Sequence, residues 1–239
     1  MRLAWKSHIG LMRETNEDFI LVNEKLRIIL LADGMGGRKA GETASEMAAL
    51  EAFELLQKNL DSRDYHEVPE LLELAVQKAH NSIKLKAFSD NSLGKMGTTL
   101  LQAVVRKGKA FICNVGDSRA YIMKSSLEQI TKDHAIVDRF ISDILMAGEL
   151  RPLGGYRLLT QAVGASEQIR PDIHVVEVEK GDILLFCSDG LTDMLNKGRI
   201  EDIIKKHRAD LHETVKKLIE YANHSGGIDN ISLVLLEIL

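Results

Sequence analysis

Cysteine is nearly absent from this chain: Cys113 and Cys187 are the only two in 239 residues. That excludes a disulfide-stapled scaffold and any Cys-rich zinc module. Both lie in apolar runs, Ala110–Val115 and Ile183–Cys187, and read as small buried thiols on strands in a reducing compartment. Proline is scarce, at three residues, and none marks a long linker, so residues 1–239 read as one domain. Long apolar runs are missing too; Ile28–Ala32 falls far short of the roughly 20 residues a membrane-spanning helix needs. Neither sign of charge dominates. The net charge is −4, so no basic field draws the chain to nucleic acid or anionic lipid. The stretch MRLAWKSHIG lacks the charged region followed by an apolar core that a signal peptide carries. A cytoplasmic location, with no nucleic-acid or membrane partner, is the expectation.

What is present is an ordinary globular balance, 45% apolar and 28% charged, in a chain long enough to bury a substantial core. Asp18–Asn23 and Leu26–Ala32 are strand-like. Helical spacing runs over Ala40–Leu60 and again over Val68–Phe88, where Leu71, Leu72, Ala75, Val76, Ala79 and Ile83 share a face. Strands follow at Thr98–Val105, Lys109–Asn114, Ala120–Lys124 and near Leu127–Ile130. Asp133–Ala147 reads as helical and Gly148–Tyr156 as irregular. Strands resume at Ile173–Val178 and Ile183–Cys187, then helices near Gly198–His207 and Leu211–His224, then a last strand at Ile231–Glu237. Short hairpin links argue for antiparallel sheets faced by helix pairs, an α+β class, and against a doubly wound parallel sheet.

The aspartates fall in a pattern. Asp18 opens a strand, Asp33 directly follows one, Asp117 follows Phe111–Val115, Asp189 follows Ile183–Cys187, and Asp229 precedes the last strand. A carboxylate at a strand end is costly to desolvate unless it is hydrated, paired or metal-bound. Sheets bring strand ends together, and a divalent cation relieves the repulsion of clustered carboxylates. Oxygen-only ligands favour Mg²⁺ or Mn²⁺ over zinc. Taken singly, Asp-Gly and Gly-Asp pairs are ordinary turns, so the pattern leaves a metal site and a set of structural turns both open. The glycines of Gly34–Gly41 lack the Gly-Lys-Ser/Thr ending of a P-loop and fit no dinucleotide fingerprint.

The ordered set is more specific than its parts. Arg13-x-x-Asn16-Glu17-Asp18, Asp33-Gly34-Met35-Gly36-Gly37, Gly116-Asp117-Ser118-Arg119, Ser188-Asp189-Gly190-Leu191-Thr192-Asp193 and Asp229-Asn230 resemble, in this order, the PP2C (PPM) family of protein phosphatases, most of all its compact bacterial members. The resemblance covers about residues 3–237. It implies an α-β-β-α four-layer sandwich, with two central antiparallel sheets flanked by antiparallel helix pairs. It also implies hydrolysis of phosphoserine and phosphothreonine on proteins by a water activated between two Mn²⁺ or Mg²⁺ ions. By the same resemblance Asp33 bridges both metals, and Gly34 offers its carbonyl to one, which Asp18 holds partly through water. Asp189 and Asp229 bind the other, while Asp117, with Asp189 and Asp193, forms a weaker third site. Arg13 grips the substrate phosphate, and Asn230 orients Asp229. The implied partners are a cytosolic Ser/Thr kinase and its phosphorylated substrates, met by a monomer.

Two departures stand out. Some relatives carry histidine where Met35 stands, so the general acid is unassigned; His134 is the nearest motif histidine, with a helix-start or flap-anchoring role as its blander alternative. The flap, about residues 133–165, lacks the His-Pro-x-Arg-Asn stretch of bacterial relatives, although Leu159-Thr160-Gln161-Ala162-Val163-Gly164 remains. Arg151 and Arg157 there are either phosphate ligands or solvated charges. A catalytically silent phosphoprotein-binding module and a small-molecule phosphoesterase stay as rival classes. The first is disfavoured by the presence of Asp18, Asp33, Asp189 and Asp229.

Overall fold

A computed structural model of the chain describes residues 1–37, 39–94, 96–138 and 156–239. Its strands are β1 (Arg2–His8), β2 (Asp18–Asn23), β3 (Ile28–Met35), β4 (Gly97–Thr98), β5 (Leu100–Arg106), β6 (Lys109–Val115), β7 (Arg119–Met123), β8 (Leu127–Gln129), β9 (Ala135–Asp138), β10 (Tyr156–Leu159), β11 (Asp172–Glu177), β12 (Ile183–Cys187) and β13 (Ile231–Glu237). Its α-helices are α1 (Lys39–Asn59), α2 (Val68–Ser89), α3 (Asp189–Thr192), α4 (Lys197–His207) and α5 (Leu211–His224).

One sheet runs β1-β13-β12-β7-β8; a second runs β11-β6-β5-β3-β2, with β4 beside β3; β9 and β10 form a separate two-stranded sheet. The paired strands are antiparallel. Side-chain alternation decides the layering, because successive residues of a strand face opposite sides. Ile28, Leu30 and Ala32 of β3 pack with α1 and α2, whereas Ile29 packs into the layer between the sheets with Leu184, Phe186, Val234 and Leu236. Leu185, Leu233 and Leu235 turn the other way, onto Ile200, Ile203, Leu218 and Ile219 of α4 and α5. The result is helices, sheet, sheet, helices.

Local chemistry agrees with this order. The α1 face on the sheet is small (Ala40, Ala44, Ala48, Ala49, Ala52), which brings its backbone close. Asn196 accepts from the Arg199 N–H and Asp210 from the His212 and Glu213 N–H groups, so α4 and α5 start on side-chain caps. One expectation is corrected. Within the stretch read as helical, Asp133–Ala147, residues Ala135–Asp138 are a strand paired with Tyr156–Leu159. Residues 139–155, which hold the rest of that stretch and most of the flap, lie outside the described residues.

Candidate active site

The two sheets end together at a cavity of about 270 Å³ lined by Asp33, Asp117, Asp189 and Asp229. Arg13, Glu17, Met35, Thr99 and Leu159 also face it. Asp33 lies inside β3 rather than after it, directly across the ladder from Asp18. Its backbone is pinned from the side: its N–H donates to Thr99 Oγ1 at 3.0 Å, and its C=O accepts from the Thr99 N–H at 2.9 Å and from Thr98 Oγ1 at 2.9 Å. Asp117 sits in the turn after β6, Asp189 opens α3, and Asp229 precedes β13. Asp18 and Asp193 are not among the lining residues; Asp193 is buried one turn along from Asp189, whose C=O accepts the Asp193 N–H at 2.8 Å.

Three of these carboxyls are held above the ordinary range. Burial pushes Asp18 up to about 7, helped by the charges of Asp189 and Asp229 and opposed by hydrogen bonds from Ser232 and Ser188. Asp33 is also raised well above the ordinary carboxylate range, first by burial and then by Asp18, Asp189, Asp229 and Asp117 together. Asp229 is raised by burial and by Asp189, against the pull of Arg13, whose Nη2 donates to its Oδ2 at 2.7 Å. Asp18 accepts from Ser188 Oγ through Oδ2 at 2.9 Å, while its other carboxylate oxygen is buried with no hydrogen-bond partner. Neighbouring acids that each lift the next are a site short of positive charge.

The backbone around them leaves no room for side chains. A Cβ on Gly34 would lie 2.2 Å from the Gly41 carbonyl oxygen and 2.7 Å from that of Glu17. Gly116 takes φ +108, which L side chains rarely adopt, and lies against Thr99.

Asn230 touches Asp229 through its own backbone N–H, which donates to Oδ1 at 2.8 Å. Its side chain does something else. Nδ2 donates to the Ile9 and Thr15 carbonyls at 2.9 and 3.0 Å, and Oδ1 accepts from the Glu17 N–H at 2.8 Å. The buried amide therefore clamps the loop that carries Arg13, Glu17 and Asp18. Sequence reading assigned no role to Glu17, Thr99 or Ser188. Glu17 and Ser188 lay inside the quoted motifs, and Thr99 gave no signal. His134 is not among the cavity-lining residues. Arg151 and the side chain of Arg157 lie outside the described residues.

Among the described residues no three His, Cys, Asp or Glu side chains are gathered into a ready-made metal-ligand set. Mg²⁺ and Mn²⁺ do not require one: Mg²⁺ in particular keeps several waters and takes one or two carboxylates at a time. A solvent-sized cavity walled by carboxylates, with an unpartnered buried carboxylate oxygen beside it, fits such hydrated cations.

Residues 7–226 match the family model described as protein phosphatase 2C. The chain is 35% identical over 246 residues to the serine/threonine phosphatase stp of Listeria welshimeri, covering 99% of this chain and 96% of that one. Its fold superposes on the S. agalactiae serine/threonine phosphatase with a TM-score of 0.85 at 29% identity, covering 100% of this chain and 99% of the other. It is also similar to the catalytic domain of the phosphatase PstP solved with two manganese ions, with a TM-score of 0.82 at 29% identity, covering 100% and 98%.

Proposed function

The chain belongs to the protein phosphatase 2C family and is a serine/threonine protein phosphatase, and from that premise we propose that it uses two Mn²⁺ or Mg²⁺ ions held in the carboxylate-lined cavity. The observation that carries this is the gathering of Asp33, Asp117, Asp189 and Asp229 around one cavity, where burial first and neighbouring carboxylates second raise Asp33 and Asp229, and Asp18 behind them, so that added positive charge would stabilise the set. Asp33, the Gly34 carbonyl and Asp18 would hold one ion, and Asp33, Asp189 and Asp229 would hold the other. Asp117, with Asp189 and Asp193, would hold a weaker third. When bound, the cations supply the Lewis acidity that ionises an attacking water near neutral pH and offsets charge on the phosphoryl oxygens.

The chain's own groups do the rest. Arg13 is half exposed at the cavity, and its planar fork suits two phosphate oxygens; Asp229 holds it in place before substrate arrives. Thr99 and Thr98 fix Asp33 through its backbone, so its carboxylate need not reorganise. Met35 lines the cavity and has no proton to give, so the leaving serine or threonine oxygen takes its proton from water.

Residues 1–239 act as one domain, a monomer whose flap spans about residues 133–165. Its substrates are phosphorylated proteins in the cytoplasm, where it opposes a Ser/Thr kinase. Among the described residues no helix is long and apolar enough to cross a membrane. The test is direct. Purified protein with fresh Mn²⁺ should release phosphate from p-nitrophenyl phosphate and from a phosphothreonine peptide; release from neither overturns the proposal. Preference for phosphorylated metabolites over phosphopeptides would reassign it to small-molecule hydrolysis. A phosphoproteome of cells with and without the protein identifies the kinase targets it reverses.

A further inference from the structure

His134 lies outside the cavity lining, yet its ring is surrounded by polar groups. Its Nε2 is 3.1 Å from Asp172 Oδ2, at the start of β11. Its Nδ1 faces two donors: the Gly116 N–H at 3.3 Å and Gln161 Nε2 at 3.3 Å. The orientation of the Gln161 amide is set independently, because its Oε1 accepts the Arg170 N–H at 2.7 Å. An acceptor at Nε2 and two donors at Nδ1 allow one state of the ring: neutral, with the proton on Nε2.

The backbone repeats the connection. The His134 N–H donates to the Gly116 carbonyl at 2.9 Å, and the His134 carbonyl accepts the Thr160 N–H at 2.8 Å. Asn114 Nδ2 adds a second bond to the Gly116 C=O at 3.1 Å. Gly116 immediately precedes Asp117, and Thr160 immediately follows Leu159; Asp117 and Leu159 both line the cavity. Through ring and backbone together, His134 therefore joins the turn that presents Asp117 to the segment that follows Leu159.

We infer that His134 is a positioning residue for the phosphatase reaction: through Nδ1 it fixes the Gly116–Asp117 turn against the Thr160–Gln161 segment that follows β10 and so sets where the Asp117 carboxylate stands. The effect on catalysis rests on the reading of Asp117 as a cation ligand; the hydrogen-bond geometry does not. The ring is not the general acid, since its one proton is committed to Asp172 and its lone pair to the backbone.

Two substitutions separate the ring nitrogens. H134N places an amide oxygen near the Nδ1 position and can still accept the Gly116 N–H. H134Q reaches toward Asp172 but leaves that N–H without its acceptor. Both are expressed as the full chain, and Mn²⁺ binding is measured by titration calorimetry alongside peptide hydrolysis. The half-saturating Mn²⁺ concentration should rise roughly tenfold in H134Q and stay within about twofold of wild type in H134N, the range typical of groups that orient metal ligands. In metal-free protein, the Gly116 amide resonance should move in H134Q far more than in H134N, and imidazole ¹⁵N shifts of the wild type should report a proton on Nε2. Equal loss in both variants, no loss in either, or a proton on Nδ1 overturns the inference. If either variant fails to fold, the wild-type ring shifts decide alone. If the wild type itself releases no phosphate, the functional reading fails while the resonance measurements still test the clamp.

Discussion

Asn230 is the position at which geometry gives the most quantitative expectation. Its side chain is buried, and it spans three backbone groups of one loop: the Ile9 and Thr15 carbonyls and the Glu17 N–H. A typical buried hydrogen bond contributes about 1 kcal/mol net, so N230A should lose about 3 kcal/mol from the three together. For a chain of this size that corresponds to roughly 6–12 °C in Tm, and it leaves a folded protein if total stability is in the usual range of about 5–15 kcal/mol. N230D is the sharper perturbation, being the same shape. It keeps the acceptor for Glu17 but sets a carboxylate oxygen against two carbonyl oxygens. That repulsion raises the new group's pKa in the folded state, so its protonated form restores one donor. The stability of N230D relative to wild type should therefore be best at low pH and fall as pH rises through the folded pKa. Urea denaturation at pH 5 and pH 7.5 reads the effect, and hydrogen exchange locates it: protection should drop across residues 9–18 and hold in α4 and α5. A loss below about 1 kcal/mol for N230A, or N230D matching wild type at pH 7.5, would refute the clamp.

Other expectations follow from the same site. D33N should abolish turnover with Mn²⁺ yet raise the Tm of the protein in EDTA, because it removes a buried acid that its neighbours hold above its ordinary range; a lower Tm would contradict that electrostatic account. For Asp18, whose carboxyl is pushed up to about 7, the native state binds more protons than the unfolded chain, so its contribution is complete below about pH 4 and is lost as pH rises toward 7. The Tm of metal-free wild type minus that of D18N should thus fall between pH 5.5 and 7.5, a difference in which the histidines cancel; a rising difference would reverse the assignment. G34A must move either the end of β3 or the start of α1, at a cost of about 1–3 kcal/mol, and should lower activity without removing any ligand side chain; unfolding and phosphopeptide assays of one preparation check both.

The fold was legible wherever local period and tertiary packing agreed. The spacing that predicts a helix over Val68–Phe88 is met by α2 at Val68–Ser89, because its buried face is the one the periodicity marks. The layer order followed from the family resemblance and is borne out, since neighbouring residues of β3 face the helices and the second sheet in turn. Legibility failed where pairing is distant. The strand Arg2–His8 has no strong alternation of its own and exists through its ladder with β13, more than 220 residues away. Ala135, Ile136 and Val137 precede residues at helical spacing, yet they form a strand because Tyr156–Leu159 supplies a partner that a local window does not contain.

The site divides along the same line, and for a physical reason. Its aspartates drew notice as carboxylates at strand ends, a pattern that ordinary turns could also produce, and it was the order of the motifs, through the family resemblance, that gave them roles. Of the groups that hold them, Thr98 and Thr99 gave no signal in sequence, Ser188 lay in a motif without a role, and Asn230 was read as orienting Asp229 although its side chain bonds backbone atoms of a remote loop. The two sets should therefore fail in opposite directions. Removing a raised carboxylate relieves a strain on the metal-free fold while ending catalysis. Removing a clamp leaves every carboxylate in place but loosens the loops that aim them, costing stability and activity together. Stability in EDTA set against turnover with Mn²⁺ thus sorts an unassigned residue of this cavity into one set or the other by the sign of a single correlation.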